Sequence, residues 1–127
     1  MPLCFIVEDH GDTREGYAEY LSWSGIDVRS ATGGEELRKL LETEVPDAVV
    51  MDLRLPSIDG WTLTRELKQD PRTAKALVIV VSASVLSDDV RRAQEAGCDA
   101  FLPKPCDPAR LVAALQRLLD RPSTREV

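Results

Sequence analysis

Residues 48–56 read Ala-Val-Val-Met-Asp-Leu-Arg-Leu-Pro, so four apolar residues lead directly into Asp52. A continuous apolar run of this length predicts a β-strand that is buried on both faces, as in parallel sheets. In open parallel sheets, ligands bind in the crevice beyond the carboxyl ends of the strands. The stretch therefore predicts that Asp52 is a functional carboxylate at the carboxyl end of a strand in an α/β sheet. The alternative is a structural role, as a helix cap or in a strand-end ion pair.

Three further apolar runs predict strands, and each is followed by polar residues. The runs and their polar ends are Leu3–Val7 followed by Glu8 and Asp9, Ala76–Val81 followed by Ser82, and Ala100–Leu102 followed two residues later by Lys104. The carboxyl ends of parallel strands lie along one edge of the sheet, so we expect these polar groups to converge with Asp52. Such convergence favours the functional interpretation of Asp52 over the structural one.

The remaining elements complete an alternating pattern. Ile26 and Val28 mark a shorter, less buried strand. Helices are predicted over residues 13–24, 35–44, 61–69 and 88–96 and from Pro108 onward, with Asp12 and Asp107 as caps of the first and last. Five strands that alternate with five helices predict an α/β fold, a (βα)5 doubly wound three-layer sandwich around a five-stranded parallel sheet.

Size and composition limit the classes of protein to consider. The 127 residues correspond to one domain, and the net charge of -6 argues against direct binding of nucleic acid, which needs a basic surface. Three cysteines without a Cys-x-x-Cys spacing fit neither a disulfide framework nor a structural zinc site. No apolar run approaches the ~20 residues that span a membrane. We therefore expect a cytoplasmic protein that does not insert into a membrane.

The residue types at the predicted sheet edge indicate a particular chemistry. Close carboxylates repel one another unless a cation lies between them, and hard oxygen ligands suit Mg²⁺. A lysine such as Lys104 supplies a compact positive charge for a phosphate, and the Ser82 hydroxyl can donate to a phosphoryl oxygen. An aspartate such as Asp52 can accept a phosphoryl group as an acyl phosphate. Together these groups predict a magnesium-dependent phosphoaspartate site.

These motifs, in this order, resemble the receiver domain of two-component response regulators. The motifs are Glu8-Asp9, the segment from Asp52 to Gly60, Ser82-Ala83, and the segment from Phe101 to Pro105. The resemblance extends from Leu3 to about Leu119. It implies a flavodoxin-like sheet with strand order 2-1-3-4-5, which is the order of receiver-type proteins. It also implies a receiver domain over residues 1–120 and a C-terminal tail over residues 121–127.

The resemblance assigns a role to each site residue. It implies that Asp52 is the phosphoryl acceptor and that Lys104 binds the phosphoryl group, with a cis peptide bond between Lys104 and Pro105. The implied Mg²⁺ ligands are Glu8, Asp9, Asp52 and the backbone carbonyl of Arg54. Ser82, followed by Ala83, bonds to the phosphoryl oxygen and moves toward it. Phe101 then turns inward and reshapes the surface of the fourth helix, fifth strand and fifth helix.

The implied function is that of a signalling module rather than an enzyme. A histidine kinase or a phosphotransfer protein would donate the phosphoryl group, and an output protein or a second copy would bind the reshaped surface. One alternative is a receiver-like module that binds partners without phosphorylation. A second is an aspartyl-phosphate phosphatase, disfavoured because such sites carry a second aspartate two residues after the first, where this chain has Arg54. A natural single-domain protein and a fragment of a longer one both remain open.

Overall fold

The computed structural model describes residues 1–84 and 86–120. Five strands and five helices alternate along this part of the chain. The strands are β1 (Leu3–Val7), β2 (Asp27–Ala31), β3 (Ala48–Asp52), β4 (Leu77–Ser82) and β5 (Ala100–Pro103). The helices are α1 (Gly11–Trp23), α2 (Gly34–Thr43), α3 (Gly60–Gln69), α4 (Ser87–Ala96) and α5 (Pro108–Leu119). The predicted C-terminal tail over residues 121–127 lies outside the described residues.

The five strands form one parallel sheet in the order β2-β1-β3-β4-β5. Both the predicted fold class and the predicted strand order are therefore confirmed. The register pairs Asp52 with Val81 and Ser82 with Pro103, so β3, β4 and β5 end at nearly the same level. This register brings the polar residues that follow the strands to one edge of the sheet.

Helices cover both faces of the sheet. In β1, Ile6 belongs to a buried cluster that includes Tyr17 of α1 and Leu111 of α5. The next residue toward the amino terminus, Phe5, belongs to a second cluster on the opposite face, which includes Trp61 of α3. Every residue of β3 is buried, as its continuous apolar run predicts. The sheet is thus the middle layer of the predicted three-layer sandwich.

Three helices begin at a glycine, one or two residues before the predicted start. The glycines are Gly11, Gly34 and Gly60. Glycine has a low helix propensity, so the sequence pattern gives no reason to include it in a helix. Asp12, predicted as the cap of α1, instead lies in its first turn, and His10 occupies the N-cap position. In the part of the chain that the structure describes, none of the helices combines the length and the apolar character needed to cross a membrane.

The first turn of α3 is packed directly against the carboxyl end of β3. The amide of Gly60 donates a hydrogen bond of 2.9 Å to the carbonyl oxygen of Leu53. A Cβ atom on Gly60 would lie 2.7 Å from the Cα of Leu53 and closer still to the backbone carbonyl of Asp52. The absence of a side chain at this position therefore lets α3 support the backbone that carries Asp52.

We expect Gly60→Ala to lower the free energy of unfolding by about 3 kcal/mol, because the new methyl group forces the backbones of α3 and β3 apart. Gly16→Ala is the matched control, since nothing lies within 4 Å of a Cβ atom at Gly16, inside α1. It should stabilise the protein by about 0.5–1 kcal/mol, the usual gain when alanine replaces glycine in a helix. Urea denaturation measures both changes, and equal stability of Gly60→Ala and wild type would contradict this account of the packing.

Candidate functional site

Three carboxylates meet at the carboxyl edge of the sheet. Glu8 and Asp9 directly follow β1, and Asp52 is the last residue of β3. One carboxylate oxygen from each of the three residues lies within 4.8 Å of the other two. Glu8 and Asp52 are buried, whereas Asp9 is exposed. The structure thus brings together the three acidic side chains that the sequence predicts at this edge.

Lys104 lies against two of these carboxylates. Its Nζ atom donates to Glu8 Oε1 at 2.6 Å and lies 3.5 Å from Asp52 Oδ2. The backbone amide of Lys104 donates to the carbonyl oxygen of Ser82 at 2.8 Å. The peptide bond between Lys104 and Pro105 is cis, as the resemblance implies, and Pro105 itself is exposed. Backbone and side chain together fix the ammonium group beside Asp52.

Charge and burial act differently on these groups. Burial, together with the nearby negative charge of Glu8, raises the pKa of Asp52 to about 6. Burial also disfavours ionised Glu8, yet the hydrogen bonds it accepts from Lys104 and from the His10 amide hold its pKa below the ordinary value. Burial opposes the charge of Lys104 as well, but its bond to Glu8 and the charge of Asp52 raise its pKa. Lys104 thus forms a close ion pair with Glu8 at 2.6 Å and a longer one with Asp52 at 3.5 Å, so the negative charge of Asp52 is the less compensated of the two.

Ser82 and Phe101 lie on neighbouring strands close to this edge. Ser82 is fully buried at the end of β4, and its Oγ accepts a 3.1 Å hydrogen bond from the Ser84 amide. Ala83, which follows it, is exposed. Phe101 is half-buried on β5 and packs against the cluster that contains Phe5. These positions are compatible with the predicted switch, whose movements stay predictions.

A neighbouring polar cluster is absent from the sequence-based expectations. Asp89 on α4 is buried, and its carboxylate accepts hydrogen bonds from Arg54 and from the Ser84 hydroxyl. Trp61 donates from Nε1 to the backbone carbonyl of Asp89 at 3.1 Å. The sequence gives one weak signal for this cluster. The helix α4 carries two adjacent aspartates, and because a helix is usually polar on one face alone, one of the two is directed toward the protein. No local sequence pattern predicts contacts between residues that lie 28 or more positions apart in the chain.

The donor set fits Mg²⁺. Carboxylate oxygens from three residues converge, and hard divalent cations prefer such ligands. Both oxygens of Glu8 already accept hydrogen bonds, from Lys104 and from the His10 amide. Asp9 is exposed and is therefore the carboxylate most available to a solvated ion. The amide of Arg54, whose carbonyl is a predicted ligand, donates to Asp52 Oδ1 at 3.2 Å.

Comparison with known sequences identifies one family. Residues 4–116 match a sequence model described as the response regulator receiver domain. The response regulator Rre1 of Synechocystis is 32% identical over 117 residues, which cover 91% of this chain and 51% of Rre1. The transcriptional activator protein ExaE of Pseudomonas putida is 37% identical over 116 residues, which cover 90% of this chain and 53% of ExaE. The chain thus spans about half the length of these curated relatives.

Solved structures agree with the sequence comparison. A putative response regulator from Chloroflexus aurantiacus is 32% identical, with a TM-score of 0.88 over 94% of this chain and 98% of that one. The receiver domain of the sensor histidine kinase PA1611 from Pseudomonas aeruginosa is 28% identical, with a TM-score of 0.86 over 94% of this chain and 98% of that one. The PA1611 structure is described as having a magnesium ion coordinated in its active-site cleft.

Proposed function

The chain belongs to the response regulator receiver domain family, and we propose that it accepts a phosphoryl group on Asp52 in a magnesium-dependent reaction. The observation that carries the proposal is the position of the Lys104 ammonium between Glu8 and Asp52, beside the carboxylate cluster. Lys104 supplies a positive charge at the place where an incoming phosphoryl group needs one. Asp52 supplies a carboxylate that is fixed by the end of β3 and held close to that charge.

The proposed reaction transfers a phosphoryl group without a change in oxidation state. A carboxylate oxygen of Asp52 forms a bond to phosphorus, while the bond from phosphorus to the donor breaks and its electron pair leaves with the donor. Lys104 binds an oxygen of the transferred group, and the Ser82 hydroxyl donates a hydrogen bond to another. The leaving atom is a histidine nitrogen for a protein donor or a carboxylate oxygen for acetyl phosphate.

Mg²⁺ is the cofactor we propose for this site. Asp9, Asp52 and the backbone carbonyl of Arg54 would hold it, with Glu8 acting through water. When bound, the ion would offset the repulsion between the carboxylates and the negatively charged phosphoryl oxygens. The raised pKa of Asp52 supports the need for a cation, because an ionised Asp52 is otherwise disfavoured by burial and by Glu8. The magnesium ion described for the related PA1611 receiver supports the same assignment.

The proposal extends to partners and output. We infer that the donor is a histidine kinase or a phosphotransfer protein and that the protein acts in the cytoplasm as a signalling module rather than an enzyme. Movement of Ser82 toward the phosphoryl group and an inward turn of Phe101 would reshape the surface of α4, β5 and α5 for an output protein or a second copy. The net charge of -6 supports an output that does not involve direct contact of these residues with nucleic acid.

The test is the intact mass of the wild-type protein after incubation with acetyl phosphate and Mg²⁺. We expect a gain of one phosphoryl group with Mg²⁺ and no gain when a chelator is added before the donor. Equal labelling with and without the chelator would contradict the role of Mg²⁺. No labelling in either sample would favour the alternative of a receiver-like module that binds without phosphorylation, and rapid release of phosphate from many phosphorylated small molecules would favour a phosphatase.

A further inference from the structure

One residue of α1 holds the loop that carries Glu8 and Asp9. The Nη1 atom of Arg14 donates a 3.0 Å hydrogen bond to the carbonyl oxygen of Glu8 and lies 3.5 Å from the carbonyl oxygen of Asp9. The backbone amide of Arg14 donates to the carbonyl oxygen of His10 at 2.9 Å. Arg14 therefore contacts the backbone carbonyls of residues 8, 9 and 10.

Helix stability does not explain an arginine at this position. Arg14 lies close to the amino end of α1, which begins at Gly11. The helix dipole places partial positive charge at that end, and this charge favours acidic side chains over basic ones. The guanidinium also lies over the start of the helix, because its Nη2 is 3.8 Å from where a Cβ atom on Gly11 would be. The contacts with the loop, rather than the stability of α1, thus account for Arg14.

The two acidic residues of the loop differ in what else fixes them. The amide of Glu8 donates to the carbonyl oxygen of Ala31 at 3.0 Å, and its carboxylate accepts hydrogen bonds from Lys104 and from the His10 amide. The Asp9 side chain is exposed, and none of the described residues donates a hydrogen bond to its carboxylate. The place of this carboxylate therefore depends on the backbone of the loop, which Arg14 contacts.

We propose that Arg14 is a positioning residue for Mg²⁺ binding, which holds the backbone at Asp9 so that the carboxylate of this residue lies beside that of Asp52. This inference rests on the proposed function, in which Asp9 is a ligand of the ion. Mg²⁺ demands near-ideal octahedral geometry, so the direction of each ligand matters. Groups that orient the ligands of a metal contribute to its affinity without touching it. Arg14 acts in this way through the loop backbone.

Arg14 has two effects on a bound cation, and they have opposite signs. Its positive charge repels the ion, whereas its hydrogen bonds fix the ligands. The repulsion acts at a site that is open to solvent at Asp9, where salt screens it. We therefore expect the second effect to prevail. Replacement of Arg14 by methionine should weaken Mg²⁺ binding about tenfold, at the lower end of the usual cost of losing a group that orients a metal ligand.

The experiment measures the dissociation constant of Mg²⁺ from amide chemical shifts in NMR titrations, without any phosphoryl donor. It compares wild type, Arg14→Met, Asp9→Asn and the double variant. Arg65→Met is the matched control, because it removes the same charge from an exposed position within α3. We expect weaker binding for Arg14→Met, no change for Arg65→Met, and equal dissociation constants for Asp9→Asn and the double variant.

The Asp9→Asn background separates positioning from a general disturbance of α1. If Arg14→Met weakens binding equally with and without the Asp9 carboxylate, Arg14 does not act through Asp9 and the proposal is overturned. Binding by Arg14→Met that is as tight as that of wild type, or tighter, also overturns it, since repulsion by the guanidinium would then be the larger effect.

Two further outcomes complete the test. Arg14→Lys replaces Arg14→Met if the methionine variant does not fold. Lysine lacks the planar array of donors and should weaken binding about threefold, so unchanged binding by this variant would overturn the proposal. A folded wild-type protein whose amide shifts do not respond to Mg²⁺ overturns the magnesium site of the proposed function itself, whereas the other outcomes leave that site intact.

Discussion

Replacement of Asp52 by asparagine is expected to abolish acyl phosphate formation. The amide is nearly isosteric with the carboxylate but lacks the negatively charged oxygen that attacks phosphorus. The fold should persist, because burial and the charge of Glu8 disfavour the ionised form of Asp52, so the folded state does not depend on that negative charge. The measurement is intact mass after incubation with acetyl phosphate and Mg²⁺, alongside a thermal unfolding curve.

The matched control for this substitution is Asp12→Asn. Asp12 is an exposed carboxylate in the first turn of α1, close in sequence to the site but outside the cluster of three carboxylates. Asp12→Asn should take up label as wild type does. Undiminished labelling of a folded Asp52→Asn protein would show that another side chain accepts the phosphoryl group.

Replacement of Lys104 by methionine is expected to slow phosphorylation about 100-fold, the usual cost of removing one preorganised charge from a transition state. Methionine keeps the length of the side chain and removes its charge. Glu8 and Asp52 then lose the ammonium group that lies 2.6 Å and 3.5 Å from them, so their mutual repulsion grows. The initial rate of labelling by acetyl phosphate at saturating Mg²⁺ measures the effect.

Two further variants make this result interpretable. Lys75→Met removes an exposed positive charge just before β4, at the opposite edge of the sheet, and should leave the labelling rate unchanged. Lys104→Arg keeps a positive charge at this position. It replaces Lys104→Met in the experiment if the methionine variant does not fold, because breaking a buried ion pair can destabilise a protein by about 3–5 kcal/mol. Arginine should still slow labelling, since its wider head group cannot occupy the ammonium position beside Glu8. A labelling rate near that of wild type in folded Lys104→Met would show that Lys104 does not promote the phosphorylation of Asp52.

The strands and their polar ends are the features that the sequence predicts most completely. A continuous apolar run requires burial on both faces, so the bounds of β1 follow from the sequence and every residue of β3 is buried as expected. Parallel pairing then predicts that Glu8 and Asp52 lie at one edge of the sheet, and this prediction does not require the loop conformations. Helix starts are less predictable, because glycines such as Gly60 are chosen for close backbone approach rather than for helix propensity.

The cluster around Asp89 shows what sequence patterns leave out. Asp89 lies on a polar helix, where an acidic residue is ordinarily solvated, yet its carboxylate is buried between Arg54 and Ser84. These partners come from two other loops, and Arg54 is 35 residues away in the chain. Trp61 likewise has no periodic pattern that ties it to α4, although it donates to the backbone of Asp89. Burial of this kind depends on tertiary packing, which local periodicity does not encode.

The most direct test of the central claim identifies the phosphorylated residue chemically. The wild-type protein is incubated with acetyl phosphate and Mg²⁺, reduced with borohydride to trap the acyl phosphate as an alcohol, and mapped by peptide mass spectrometry. We predict that the reduced side chain is at position 52 and that it is absent when a chelator precedes the donor. Trapping at Glu8 or Asp9 instead, or no trapping in a folded protein with Mg²⁺ present, would contradict the assignment of Asp52 as a magnesium-dependent phosphoryl acceptor.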